Sequence, residues 1–371
     1  MINYTKKFTA YIQDPKVKKF LPAGAFFGGF LWDSVTLTRI DRLLDNLILL
    51  AYLILLGGLI ILMNLIDNGT KLRPLLSKYS KWYSYVIQFL LGGLFSAYVV
   101  FYFQSSSFTK ASIFFIFLLV FLVVNEFLEK RYHNVYFQIS LFFLVNFSFF
   151  IFFIPVLFRH FGLTTFLLGG FLSLGIVESI LYMIRRFGDF PAKKTFNISR
   201  SIPPVLFGIL MIFYVFNWIP PVPLSLKFYG IYRNVEKVTE NGILHYNLSF
   251  EKPPWYKPWK NSENPYKYSD NNRVICFTAV FASSDLKTSI FHHWQRYSES
   301  QDMWLTTDKI ECDITGGRDD GYRLYTVKEN IEPGEWRIEV KTTNELLLGS
   351  IDLDIVEADE ETFEIKTITR Q

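Results

Sequence analysis

The residues with types suited to chemistry fall into two sets. Asp33, Glu126 and Glu178 are carboxylates embedded in apolar surroundings, where acids can relay protons or ions. An ionisable group at the centre of a bilayer costs about 2.5–3.5 kcal/mol on insertion scales, so each such acid needs a partner or a purpose. The second set lies towards the carboxy terminus. It comprises Trp255 and Trp259, His293 and Trp294, Arg318 and Arg323, and the two cysteines of the chain, Cys276 and Cys312. Its chemistry is recognition by aromatic and cationic side chains, together with an optional disulfide.

Neither set forms a catalytic constellation. The chain carries no helix-borne His-Glu-x-x-His, no Gly-x-Ser-x-Gly and no phosphate-loop signature, so no enzyme, cofactor or metal site is expected. His292 and His293 are adjacent, and on a strand their imidazoles point to opposite faces and do not share one metal. Glu126 lies close to Lys130 and Arg131, Glu178 is followed by Arg185 and Arg186, and Asp33 by Arg39. Each acid therefore reads as an interface or helix-contact residue, with a relay through Asp33 and Glu178 as the alternative. Cys276 and Cys312 leave two readings open, a bridge permitted by an oxidising compartment or two separate buried thiols.

The elements that must position these residues follow from hydropathy. Half of the 371 residues are apolar, including 39 Phe and 8 Trp, and they concentrate in residues 1–225. That portion holds 20 Lys+Arg against 9 Asp+Glu, whereas residues 226–371 hold 18 against 25. A basic membrane half thus precedes an acidic soluble half, and an acidic domain lacks the clustered cations that nucleic acid requires. Crossing about 30 Å of hydrocarbon takes roughly 20 apolar residues. Residues 43–66, 82–103, 111–128, 135–157, 163–184 and 202–219 meet that demand, and residues 20–38 form a seventh, weaker run interrupted by Asp33 and three glycines. Paired glycines at 57–58, 92–93 and 169–170 are devices for close helix packing.

Loop charge sets the orientation, because Lys and Arg near span ends stay in the cytoplasm. With seven spans, sixteen Lys and Arg fall on one side and four on the other. The amino terminus is then cytoplasmic, and everything beyond residue 219 is outside.

Pro220, Pro221 and Pro223 stop the last span, and residues 226–371 change texture to short β-branched and aromatic segments separated by turns. In residues 335–342, Trp336, Ile338 and Val340 alternate with charged residues, the period of a half-buried strand. The expected fold class is a polytopic helical bundle followed by an all-β, immunoglobulin-like sandwich domain. Residues 251–272 leave two readings open, a long surface loop whose Trp255 and Trp259 meet a membrane interface or a partner, or an ordered excursion packed on the sheet.

Within this half His293-Trp294, Ile314-Thr315-Gly316-Gly317-Arg318, Gly321-Tyr322-Arg323, Pro333-Gly334-Glu335-Trp336-Arg337-Ile338 and Leu348-Gly349 carry a family likeness. Over about residues 274–356 the chain resembles the bacterial carboxy-terminal module known as domain of unknown function 2914. The resemblance implies a bacterial envelope protein and supplies no activity, cofactor or catalytic residue. Gly316 and Gly317 with Arg318 suggest a plain glycine-rich connection or an anion nest.

The expected function is a scaffold or accessory subunit in the bacterial cytoplasmic membrane. The bilayer holds its helices, and its outer domain, periplasmic or extracellular, binds an envelope protein or polymer. A transporter or channel component is the alternative, since seven spans exceed what an anchor needs.

Overall fold

A computed structural model describes residues 31, 33, 35, 42–67, 80–105, 112–127, 134–188, 193–240, 242–268, 273–283, 286–318, 320–329, 331–358 and 364–370. The chain divides into two compact units. One holds most of the helical residues; the other holds the strands together with a few residues at helix ends, among them Pro155–Gly162.

Six helices are described: α1 (Leu43–Asp67), α2 (Ser80–Ser105), α3 (Ser112–Phe127), α4 (Val135–Phe158), α5 (Leu163–Phe187) and α6 (Lys193–Val215). All but α3 are long and apolar enough to cross a membrane. The 16 described residues of α3 rise about 24 Å and fall within the expected run 111–128, whose two end residues lie outside the described residues. The expected span 20–38 lies largely outside the described residues, of which Leu31, Asp33 and Val35 are helical. In α6 the helix begins nine residues before the apolar run at 202, taking in Lys193, Lys194 and Arg200, whose long stems let their charges reach water.

Burial ranks the helices. In α4 the most apolar window is 78% buried, against 17% in α6, so α4 is central and α6 peripheral. Phenylalanines fill the space around α4: Phe152 meets Tyr98 and Phe101 edge-on at 5.8 and 5.5 Å between ring centroids. Asn64 on α1 donates to Gln138 on α4 at 2.6 Å, an interhelical bond, whereas Asn146 donates back to Phe142 O of its own helix at 3.0 Å. At least one glycine of each pair sits where a side chain would be crowded, whereas Gly58 faces open space. A Cβ on Gly170 would come within 2.1 Å of the Phe207 ring, and one on Gly57 within 3.1 Å of Phe142.

Eleven strands are described in the second unit: β1 (Ser225–Tyr232), β2 (Asn234–Glu240), β3 (Ile243–Glu251), β4 (Tyr266–Tyr268), β5 (Val274–Phe281), β6 (Lys287–Ser298), β7 (Met303–Thr315), β8 (Tyr322–Lys328), β9 (Gly334–Thr342), β10 (Leu347–Glu357) and β11 (Ile365–Arg370). They form three sheets, ordered β1-β5-β8, β4-β10-β9-β6-β7 and β11-β3-β2. β1 and β2 are parted at Arg233, and β4 lies inside residues 251–272 and pairs with β10.

The two-layer sandwich expected above has a third layer, and the reason lies in β5. Its sequence, Val-Ile-Cys-Phe-Thr-Ala-Val-Phe, is buried at every position. Val274, Cys276 and Val280 face the five-stranded sheet, beside Trp294, Trp336, Ile338 and Leu353 in one cluster and Ile290, Ile314 and Leu348 in another. Ile275 and Phe277 face the other way, onto Tyr246, Leu248 and Phe250 of β3. A strand apolar on both faces needs cover on both, and an alternating pattern reports only one. Trp336 occupies the inward face of β9 as expected, 3% exposed, with its indole N–H on Glu332 O at 2.8 Å.

Phe161, between α4 and α5, belongs to this unit and is buried among Leu224, Leu286 and Leu348. Asn344 donates to its carbonyl at 3.3 Å. Gly162 follows with φ of +145°, and a Cβ there would stand 2.9 Å from the Asn344 amide, so this turn needs glycine.

Candidate interaction sites of the β unit

Arg233 and Glu263 anchor the loop that carries Trp255 and Trp259. The Arg233 guanidinium donates from Nε to Glu263 Oε2 at 3.0 Å and from Nη2 to Lys267 O at 2.9 Å, and it lies 4.6 Å from the centre of the Tyr266 ring. Glu263 also accepts the Glu251 N–H at 3.1 Å. Burial pushes the Glu263 carboxyl up, and Arg233 beside it pulls the other way. A buried charge needs such a partner and such hydrogen bonds, so removing either side leaves the other stranded. Asn264 extends the anchoring. Its amide donates to Asp352 O and accepts from Asp354 N–H, each at 3.1 Å, and this leads into the parallel pairing of β4 with β10.

On this fixed base Trp255 is 91% exposed and Trp259 73% exposed, with Tyr256 also on the surface. Lys257 and Lys260 stand between and beside them. The loop is thus pinned at its base and apolar at its tip.

His293 and Trp294 separate from this surface and from each other. Trp294 is fully buried and donates to Thr326 Oγ1 at 3.3 Å, so the expectation that it contacts a partner is corrected: it packs between two sheets. His292 shares that face, with its ring nitrogens 3.0 Å from Thr278 Oγ1 and 2.9 Å from Thr326 Oγ1. Burial, with His293 adjacent, pushes its pKa down to about 4. The opposite orientation of the two imidazoles is as read from the strand period. His293 lies on the outer face near Glu345, whose carboxylate is 3.9 Å away and is itself bonded to Lys309 at 2.7 Å.

Arg318 is exposed, its guanidinium 5.0 Å from the Tyr322 ring centre. The amides of Gly316 and Gly317 donate to Leu286 O and Ala282 O, at 2.8 and 3.2 Å, so they are spent on backbone carbonyls and do not form an anion nest. Gly316 is required for this close approach, because a Cβ would stand 1.8 Å from Ser283 O. Arg323 turns inward, its side chain 13% exposed, towards Lys227 and Arg370, two cations that sequence reasoning did not single out.

Cys276 and Cys312 are free thiols, the second of the two readings. Burial raises both, Cys312 to about 11, so neither is a nucleophile near neutral pH. In the helical unit Glu178 pairs with Arg200 of α6 at 2.9 Å, a helix-contact role. Asp33 is half-buried on a helical segment, and the Glu126 side chain lies outside the described residues. Among the described residues no group of three or more His, Cys, Asp or Glu is placed to hold a metal ion.

Residues 287–355 match the family described as protein of unknown function (DUF2914), so the carboxy-terminal part of the chain carries a DUF2914 domain. The matched segment runs from the start of β6 into β10 and excludes β5, a narrower reach than the resemblance suggested. No curated protein matches the chain. Among solved structures, an alkylpurine DNA glycosylase (AlkC) of Pseudomonas fluorescens bound to DNA containing an abasic site analogue aligns at 10% identity, over 86% of this chain and 99% of that one. Its TM-score of 0.19 carries no inference about fold or function.

Proposed function

We propose that this chain is a membrane scaffold or accessory subunit whose β unit binds a protein or polymer partner of the bacterial envelope through the loop bearing Trp255 and Trp259. The observation that carries the reading is the combination of near-complete exposure of both indoles with a buried Arg233–Glu263 base that fixes the loop. Large exposed aromatics on an ordered support mark interaction surfaces, and Trp is prominent among the residues that dominate interface energetics. In this reading the helices form seven spans with residues 20–38, the amino terminus is cytoplasmic, and the immunoglobulin-like part of the β unit stands outside the cytoplasmic membrane. The paired state of Glu178 favours a packing role over a relay.

A photoreactive residue at position 255 of the full chain tests this in intact membranes. The expected products are adducts to a protein or polymer, lost when Trp259 is also changed to Ala. Adducts to lipid alone would defeat the partner reading and assign the loop to the membrane surface.

A further inference from the structure

A cavity of about 550 Å³ opens at one end of the space between the β1-β5-β8 and β11-β3-β2 sheets. Its origin is visible in the register. Phe228 pairs with Ala279, and Ala279 with Arg323, so the three side chains form one row across the middle sheet. Ala279 is the small residue at the centre, and the hollow lies above it. The register of β1 also shifts between Leu226 and Phe228. Leu226 packs with the cluster on one face of the sheet and Phe228 with the cluster on the other, so Lys227 is the extra residue of a β-bulge at the cavity wall. Bulges re-aim side chains in this way and are common beside functional sites.

The charge around this hollow is unbalanced. Among the described residues, Lys227, Arg323 and Arg370 line it, against the single carboxylate of Asp320. Asp320 is a weak counterion, 4.0 Å from Arg323 with its side chain 82% exposed. Arg370 stacks 4.2 Å from the centre of the Phe228 ring, which leaves its N–H edges available for an acceptor. Burial lowers the pKa of both Lys227 and Arg323, and Arg318 adds to the effect at Arg323. The floor is apolar, formed by Phe277 and Ala279.

We propose that this cavity binds a small ligand that joins an anionic group, a carboxylate or phosphate, to an apolar or aromatic body. The anion sits among Lys227, Arg323 and Arg370, and the body rests over Ala279 against Phe228 and Phe277. Concave sites with an apolar lining and a few convergent polar groups are the usual form of small-ligand sites. Guanidinium groups match the bidentate geometry of carboxylate and phosphate. The site is separate from the tryptophan loop and does not depend on the function proposed for it.

Titration calorimetry of the full chain in a non-ionic detergent, with benzoate, phenyl phosphate and uncharged benzyl alcohol as probes, tests the proposal. At least one anionic probe should bind saturably, and benzyl alcohol about tenfold more weakly or not at all; which anion binds identifies the acid group. Arg370→Gln should weaken that binding by about tenfold or more, the effect of losing one charge-assisted contact. Ala279→Leu, which fills the hollow while keeping every cation, should abolish it with the melting temperature unchanged or raised. Binding of neither anion, equal binding of benzyl alcohol, or full affinity in both variants would overturn the site.

Discussion

His292 shows how a single ring ties the β unit to pH. Its two nitrogens meet threonine hydroxyls inside the core, and the neutral ring is the form that fits there. An unfolded histidine titrates near 6.5, whereas the folded one titrates at about 4. Protons therefore bind the unfolded chain first as pH falls, so stability is complete above about 6.5 and drains away towards 4, by about 2–4 kcal/mol in all. Asp308 and Glu345, whose folded carboxyls are lowered by Lys328 and Lys309, add their loss only in the more acid range of free carboxylates. Burial also lowers the His293 ring, so we expect melting temperature in detergent to fall between pH 6.5 and 5 for the native chain, somewhat less for His293→Gln and least for His292→Gln. A slope as steep in His292→Gln as in the native chain would assign the titration elsewhere. The inward position of His292 follows from strand alternation; its threonine partners do not, because Thr278 and Thr326 arrive from β5 and β8 through pairings no local pattern encodes.

Among elements, the legible ones were those whose own residues report their surroundings. The apolar helices announced themselves through length, and β9 through its alternation of Trp336, Ile338 and Val340 with charge. The element β4 was invisible because three residues after a proline-rich stretch carry no period, and its pairing with β10 is fixed from afar by Asn264. The third sheet was half-visible, since the continuous apolar run of β5 states that both faces are covered without stating by what. The turn between α4 and α5 is the least readable of all, because nothing in its sequence links Phe161 to strands that begin more than sixty residues later. Phe161→Ala should lower the stability of the β unit by about 3–5 kcal/mol, the usual loss for a buried Phe. An unchanged melting transition of the β unit in that variant would mean Phe161 is not part of its core.

On the scale of the whole molecule the charge asymmetry makes the firmest statement. Counted over the seven proposed spans, the loops hold sixteen cations against four, and on the positive-inside rule that asymmetry predicts residues beyond 219 outside the cytoplasm. A periplasm-active reporter fused after Gln371 should be active, and its cytoplasm-active counterpart silent; the reverse pattern would invert the topology. The candidate sites were legible only in part. Exposed Trp255 and Trp259 stand in a stretch whose prolines and aromatics mark it locally, but Lys227, Arg323 and Arg370 meet only once three strands distant in sequence have been laid side by side.

The arrangement β11-β3-β2 also sets a schedule. Between the end of β3 at Glu251 and the start of β11 at Ile365 the ribosome must add 113 residues. At typical synthesis rates that takes on the order of ten seconds. For that interval β3 has β2 on one side and a bare edge on the other, with the donors and acceptors of residues 246–251 unclaimed. An unpaired edge is a template for pairing with another chain, so newly made copies are most prone to cross-association in the seconds before β11 arrives. High expression rates should therefore penalise this protein more than its finished, fully paired form would suggest.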